Sequence, residues 1–139
     1  MNHPSNSDTE TKDIGRRLGE KLKQGDVVCL YGDLGAGKTT MVKGIASALG
    51  IHERDITSAS FTIIAEHNGR VPFYHIDLYR VSSGEVPELG LQEYFGPDSI
   101  AVIEWAERAV GEVPDHSIRV KLTYREENTR EIEIQGIDL

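Results

Sequence analysis

The spacing of hydrophobic and polar positions alternates along the first half of the chain between helical and extended patterns. Apolar side chains at four-residue intervals predict an amphipathic helix over residues 7–23, and residues 7–10 at its start are typical of a capping box. Residues 26–31 form a short apolar run with β-branched side chains, which predicts a strand. Residues 40–49 return to helical spacing and stop at Gly50. The first half therefore reads as helix, strand and helix.

The second half of the chain reads mainly as strands. Residues 61–66 and 71–78 are separated by a turn that contains Asn-Gly, which predicts a β-hairpin. Residues 99–103 form a continuous apolar run, which is typical of a strand buried on both faces of a largely parallel sheet. Residues 117–123 and 130–135 alternate apolar and polar side chains and predict a C-terminal antiparallel hairpin.

These elements together predict an α/β protein. We expect a three-layer sandwich with a mixed, largely parallel central sheet that ends in the C-terminal antiparallel hairpin. Residues 1–6 carry no periodic pattern and are predicted to be a flexible tail, whereas residues 7–139 are expected to form a single domain.

Composition and charge narrow the class of protein. The 139 residues are 38% hydrophobic and 27% charged, and no apolar run approaches the roughly 20 residues of a membrane helix. The single cysteine, Cys29, has no internal disulfide partner, and no secretory signal is visible, so we expect a cytoplasmic protein. The net charge of −8 argues against extensive direct binding to a nucleic-acid backbone, although action on RNA through a partner stays open.

Residues 32–39 read Gly-Asp-Leu-Gly-Ala-Gly-Lys-Thr, a complete phosphate-binding loop pattern between the predicted strand and helix. Glycines let such a backbone turn sharply with its N–H groups pointing at an anion. Lys38 can reach the β- and γ-phosphates of a nucleotide, and the Thr39 hydroxyl can ligate Mg²⁺. The N-terminus of the following helix adds its dipole to the anion site. The sequence therefore predicts a nucleotide-binding fold of the P-loop NTPase type.

Two acidic side chains are candidates for the chemistry of such a site. Glu104 ends the apolar strand and would support a metal ion, although Asp is more usual in this role. Asp77 shares one predicted strand face with His75 and Tyr79, where it would orient a water molecule or the hydration shell of a metal. The alternatives are a solvated glutamate at the strand end and an exposed sheet face with an Asp77–Arg80 ion pair.

Two further positions are weaker candidates on spacing alone. Thr62 follows a connector rich in serine and threonine, where a switch-like segment would sense the γ-phosphate. Arg130 opens the last predicted strand and would approach a phosphate or a nucleobase, but a solvated surface arginine fits the pattern as well.

Three function classes remain open from these residues. The first is an ATPase within a larger assembly. The second is a small-molecule kinase, although the later arginines are dispersed rather than clustered as in a lid: Arg108, Arg119, Arg125 and Arg130. The third is a nucleotide-gated binding module with negligible catalysis. A GTPase is disfavoured, because the sequence contains neither Asn-Lys-x-Asp nor Asp-x-x-Gly.

An ordered set of motifs closely resembles the TsaE family of bacterial ATPases, over roughly residues 11 to 130. The motifs are the glycine loop followed by Thr40, Ser58-Ala59-Ser60-Phe61-Thr62, His75-Ile76-Asp77-Leu78-Tyr79-Arg80, Glu88-Leu89-Gly90-Leu91 and Ile103-Glu104-Trp105. The resemblance implies a P-loop α/β fold that binds ATP with Mg²⁺ and hydrolyses it slowly. It also implies action with the TsaB–TsaD pair, which forms N6-threonylcarbamoyladenosine (t6A) at adenosine 37 of tRNA. The tRNA would then be reached only indirectly.

The resemblance also assigns residues to roles. Nucleotide-binding positions are Thr11, Gly35, Ala36, Gly37, Lys38, Thr39, Thr40 and Arg130. The Mg²⁺ positions are Thr39 and Glu104, and the catalytic positions are Lys38, Asp77 and Glu104, with Trp105 also functionally important. One departure is Ala59, which stands where the family usually has proline, and this makes the connector that precedes Thr62 less rigid.

Overall fold

One mixed sheet organises the protein, a computed structural model of which describes residues 1–33, 35–57 and 63–139. Within these ranges the sheet has seven strands in the order β1-β7-β6-β2-β5-β4-β3. The strands are β1 (Asn2–Ser5), β2 (Val27–Tyr31), β3 (Ile64–Asn68), β4 (Pro72–Asp77), β5 (Ile100–Glu104), β6 (Ile118–Glu126) and β7 (Thr129–Gln135). The α-helices are α1 (Asp8–Lys21) and α2 (Lys38–Ala48).

The α/β class, the mixed sheet and the C-terminal hairpin are confirmed. The prediction of a largely parallel sheet needs correction, because only three of the six neighbouring pairs are parallel: β6–β2, β2–β5 and β5–β4. The other three pairs are antiparallel, namely β1–β7, β3–β4 and β6–β7. The parallel strands occupy the centre of the sheet, and antiparallel pairs extend it on both sides.

The two faces of the sheet are covered differently. In β2, Val28 and Leu30 point towards α1 and α2, which both pack on one face, whereas Val27 and Cys29 belong to the core on the other face. Within the described ranges, that second face is covered by short 3-10 helices and loops rather than by α-helices. Three of these 3-10 helices are Val86–Leu89, Leu91–Tyr94 and Ala106–Ala109.

The N-terminal residues are ordered into the sheet, so the predicted flexible tail over residues 1–6 is wrong. Asn2–Ser5 forms β1, which pairs antiparallel with β7. Backbone N–H and C=O groups at the edge of β7 thereby gain a strand partner that they would otherwise lack. The Ser5 hydroxyl is buried, donates to the Ser7 carbonyl at 2.8 Å and shares a hydrogen bond of 2.7 Å with the Thr11 hydroxyl. Four residues without apolar alternation gave no pattern from which this strand could be predicted.

Helix α1 begins at the predicted capping box. The Glu10 backbone N–H donates to the Ser7 side-chain oxygen at 3.0 Å, which satisfies one of the free N–H groups of the first turn. The Glu10 carboxylate accepts from the backbone N–H of Asn6, one residue before the position expected for a capping box. None of the helices in the described ranges is both long enough and apolar enough to cross a membrane.

Helices α1 and α2 pack backbone against backbone through three glycines. A Cβ atom added at Gly19 would lie 2.7 Å from the Ile45 carbonyl oxygen. A Cβ atom at Gly15 would collide with the Met41 carbonyl, and one at Gly44 would collide with a carbonyl of α1. Because α2 follows the glycine loop directly, this contact fixes the helix that carries the site.

We expect Gly44→Ala to destabilise the protein by about 2 kcal/mol, measured as the free energy of unfolding in urea. The added methyl group meets the Lys12 carbonyl, and the resulting overpacking outweighs the roughly 1 kcal/mol that alanine gains over glycine in a helix. Gly84→Ala is the matched control, since a Cβ there has nothing within 4 Å. Equal unfolding free energies for Gly44→Ala and the unchanged protein would contradict the close helix contact.

Candidate active site

The predicted functional residues meet where three parallel strands end. Strands β2, β5 and β4 are neighbours, and their registers place Leu30 beside Glu104 and Glu104 beside Asp77. The carboxyl ends of parallel strands lie at one edge of the sheet, which is where α/β proteins bind ligands. The glycine loop leaves β2 at the same edge and leads into α2.

The glycine loop (residues 32–39) has positive φ values at all three of its glycines, while Leu34 lies outside the described residues. Gly37 caps α2 in the left-handed region, with φ of 97° and no side-chain hydrogen bond, so the first N–H groups of the helix stay available for an anion. Gly32 also has a positive φ, 152°, and a Cβ there would lie 2.6 Å from the Leu122 carbonyl oxygen. Both positions therefore require glycine.

Lys38 is buried at the start of α2 and folds back onto the loop. Its ammonium group donates to the Asp33 carbonyl at 2.9 Å and to the Gly32 carbonyl. The same nitrogen lies 4.2 Å from the centre of the Trp105 ring, in a cation–π contact. Burial lowers the pKa of Lys38 from its ordinary value, and the negative charge of Glu104 opposes that shift. A cation held in a desolvated site interacts strongly with any anion that enters it.

Glu104 is the centre of a buried hydrogen-bond cluster at the end of β5. The Thr39 hydroxyl donates to its two carboxylate oxygens at 2.9 and 3.2 Å. The Nε2 atom of His75 lies 2.6 Å from its Oε2 atom, with both side chains buried. The alternative of a solvated glutamate is therefore wrong, since Glu104 is only 2% exposed.

Asp77 lies beside this cluster, and it too is buried. It is 6% exposed, and its Oδ1 atom accepts a hydrogen bond of 3.0 Å from the Tyr79 backbone N–H. One ligating atom each from His75, Asp77 and Glu104 lies within 4.8 Å of the others. The alternative of an exposed sheet face is wrong, because His75 and Asp77 are buried, on the same face of β4 as Phe73, which belongs to the core on the α-helix side.

Arg130 and Thr11 approach the loop from other elements. The Arg130 guanidinium donates to the carbonyls of Ala36 and Gly35 at 3.2 and 3.0 Å and lies 4.6 Å from the centre of the Tyr124 ring. The Thr11 methyl group lies 3.7 Å from the position that a Cβ of Gly37 would take. Arg130 is thus a loop contact rather than a free surface arginine.

A cavity of about 430 Å³ joins most of these groups. It is lined by Asp8, Gly35, Gly37, Lys38, Thr39, Thr40, Asp77, Tyr79, Glu104, Trp105 and Arg130. Of the predicted nucleotide-binding residues, Thr11 and Ala36 are buried and lie outside this lining set. Residues 58–62, which include the predicted switch threonine Thr62 and the departure at Ala59, lie outside the described residues.

Sequence reasoning missed Asp8 as a cavity residue. An acidic residue in the first turn of α1 is already explained by helix capping and the helix dipole. The local sequence therefore gives no signal that Asp8 lines the cavity. Residue spacing identifies Arg108 only as one of several dispersed arginines, although it contacts Trp105 and the turn after β4. Both positions depend on tertiary packing, which residue spacing does not encode.

Comparisons with known proteins agree with the motifs. The family described as "Threonylcarbamoyl adenosine biosynthesis protein TsaE" matches residues 5–132. The TsaE protein of Treponema pallidum is 41% identical over 131 residues, which is 94% of this chain and 96% of the relative. That of a Nostoc species is 46% identical over 129 residues, 89% of this chain and 78% of the relative.

A solved structure is similar over nearly the whole fold. The crystal structure of Bacillus subtilis YdiB superposes with a TM-score of 0.79 at 38% sequence identity. The match covers 95% of this chain and 82% of that chain. The family match and these relatives cover most of the sequence, so the chain belongs to the TsaE family of proteins involved in the t6A modification of tRNA.

Proposed function

We propose that this protein is a Mg²⁺-dependent ATPase that supports t6A formation together with TsaB and TsaD. Turnover is slow for the isolated chain and depends on those partners. Family membership supports the pathway, and the cavity at the glycine loop supports the nucleotide chemistry. The observation that carries the proposal is that one cavity is lined by the loop, a buried lysine and two buried carboxylates.

The loop would hold the phosphates of ATP. The backbone of residues 35–40 turns around the N-terminus of α2, where free N–H groups and the helix dipole favour an anion. Lys38 is positioned to exchange its two loop carbonyl contacts for the β- and γ-phosphates. Arg130 braces the loop from β7 through the carbonyls of Gly35 and Ala36.

Thr39 and Glu104 fit a Mg²⁺ ion. They bring a hydroxyl oxygen and two carboxylate oxygens together at 2.9 and 3.2 Å, and Mg²⁺ prefers oxygen ligands. His75 forms a hydrogen bond with one carboxylate oxygen of Glu104. This contact fixes the orientation of the carboxylate, as the hydrogen-bond partners of metal ligands do. When bound, Mg²⁺ would neutralise charge on the phosphates. These contacts support the assignment of both residues to the metal.

Asp77 is proposed to orient the attacking water. Its carboxylate lines the cavity at the neighbouring strand end, and the Tyr79 N–H fixes its Oδ1 atom. A buried carboxylate held in this way accepts a hydrogen bond from a water molecule in a defined direction. The tRNA is not expected to bind the chain directly, because a net charge of −8 opposes contact with its phosphates.

The proposal is tested by measuring ADP formation by the purified chain, alone and with TsaB and TsaD, together with t6A formation on tRNA. We expect weak turnover alone and a clear increase with both partners. A folded chain with no ATP binding and no partner-dependent turnover would contradict the proposal. A phosphorylated metabolite that matches ADP formation would indicate a kinase instead. ATP-dependent association with the partners that survives Asp77→Ala, without measurable turnover, would indicate a binding module.

Glu104→Gln is expected to raise the Mg²⁺ concentration for half-maximal hydrolysis by at least about tenfold. The amide preserves the size of the side chain but removes the charge that Thr39 and His75 contact. Thr39→Ala is expected to shift the same dependence, since both residues would serve the metal. Glu93→Gln is the matched control, because Glu93 is exposed in the 3-10 helix Leu91–Tyr94 and does not line the cavity. An unchanged Mg²⁺ dependence in Glu104→Gln would remove Glu104 from the metal site.

A further inference from the structure

We propose that Arg108 is a positioning residue that joins the turns after β4 and β5 and holds Trp105 in place beside Lys38. It would act on catalysis through these neighbours, since it is not among the described residues that line the cavity. The inference rests on the proposed ATPase function. It adds Arg108 to the glycine loop and the two carboxylates as a residue on which that function depends.

On one side, Arg108 binds the backbone that follows Asp77. Its Nη1 atom donates to the Leu78 carbonyl at 2.9 Å, to the Val81 carbonyl at 3.3 Å and to the Tyr79 carbonyl. Three carbonyl oxygens therefore converge on one half-buried guanidinium group. The turn is built around this cation, and the same turn supplies the Tyr79 N–H that orients Asp77.

On the other side, Arg108 contacts Trp105. The guanidinium carbon lies 4.9 Å from the centre of the Trp105 ring and 5.9 Å from that of the Tyr79 ring, and the two rings are 5.3 Å apart. The Arg108 backbone N–H also donates to the Trp105 carbonyl at 3.0 Å. The guanidinium group is therefore restrained by carbonyls on one side and by aromatic rings on the other.

Trp105 needs such support because of its backbone conformation. Its φ of 59° lies in the left-handed region, which is unusual for a bulky side chain and persists only where neighbours determine it. Trp105 directly follows Glu104, and its ring lies 4.2 Å from the Lys38 ammonium group. A shift of this ring would therefore alter the position of Lys38 and the end of β5 together.

Lysine is the informative replacement, because Arg108→Lys keeps the charge but lacks the planar guanidinium group that places Nη1 at the carbonyls while the rest of the group lies against the two rings. Arg70→Lys is the matched control. Arg70 also donates to a backbone carbonyl, that of Ala48 at 2.5 Å, but it lies beyond the opposite end of β4. Trp105 is the single tryptophan of the chain, so emission excited at a wavelength that tyrosine does not absorb reports on this position alone.

The experiment measures kcat and KM for ATP with TsaB and TsaD present, tryptophan emission with and without Mg·ATP, and thermal unfolding as a check of folding. For Arg108→Lys we expect kcat to fall by at least about tenfold while KM changes by less than about threefold, since the defect lies in alignment. We also expect the nucleotide-free emission to change in Arg108→Lys and to stay unchanged in Arg70→Lys.

The outcomes separate the two levels of the proposal. If the unchanged protein hydrolyses ATP and folded Arg108→Lys matches it in kcat and emission, the role of Arg108 is overturned and the ATPase proposal stands. The role is also overturned if kcat of Arg108→Lys falls only in proportion to the fraction of that variant that is unfolded. An equal loss of kcat in Arg70→Lys would overturn it as well. If the unchanged protein shows no turnover with its partners, the proposed function fails and the role of Arg108 fails with it.

Discussion

Lys38→Ala is expected to lower ATP hydrolysis by at least about 100-fold, which is the scale of losing one preorganised electrostatic group. The ammonium group is buried beside the glycine loop and belongs to a side chain that lines the cavity proposed to hold the phosphates. Burial strengthens its interaction with an anion, because water screens the charge poorly there. ATP binding should weaken as well, since Lys38 contacts phosphate in both the ground state and the transition state.

Lys43→Ala is the control for this variant. Lys43 lies on the same helix and does not line the cavity. Its replacement by alanine therefore changes the net charge and the helix propensity of α2 by the same amounts as Lys38→Ala does. Both variants are measured by ADP release and by calorimetric titration with Mg·ATP, with circular dichroism to check folding. If folded Lys38→Ala keeps turnover within about twofold of the unchanged protein, the glycine loop is not the site of hydrolysis.

Asp77→Asn is expected to separate binding from chemistry. Hydrolysis should fall by about 100-fold or more, as for loss of a group that directs proton transfer, while the Kd for Mg·ATP should change by less than about threefold. The amide oxygen can still accept from the Tyr79 N–H, so the local backbone is preserved. The substitution keeps the size of the side chain, removes its charge and turns the second carboxylate oxygen into an amide NH2 donor.

Asp98→Asn is the matched control, because Asp98 is exposed near the start of β5, at the end of the strand opposite Glu104. Single-turnover hydrolysis and equilibrium binding are compared across the three proteins. Equal losses of binding and hydrolysis in Asp77→Asn would show that Asp77 holds the nucleotide or the local fold, and would contradict its role in orienting water.

The parts of the site that the sequence predicts are those set by short-range patterns. The glycine loop is recognisable because Gly32 and Gly37 must take positive φ values and Lys38 must follow them. The sequence predicts Glu104 as a carboxylate at a strand end and Asp77 as a carboxylate on a polar strand face, and the pairing of two adjacent parallel strands brings them together. Strand periodicity and the end of an apolar run are sufficient for such a prediction.

The parts that sequence reasoning missed depend on register and long-range packing. The His75–Glu104 contact exists because β4 and β5 pair with Asp77 opposite Glu104, and a slip of one residue would turn His75 to the other face. Strand β1 forms because β7 offers it an edge, which its own residues do not reveal. The second face of the sheet carries 3-10 helices where the glycines and prolines of residues 84–97 prevent longer ones.

Calorimetric titration of the purified chain with ATP in the presence of Mg²⁺ tests most directly whether the glycine loop holds a nucleotide. We predict saturable binding at one site per chain, weakened by at least about tenfold when Mg²⁺ is chelated or Lys38 is replaced by alanine. A folded protein that gives no saturable binding, or binds equally well without Mg²⁺ and without Lys38, would contradict the proposed function.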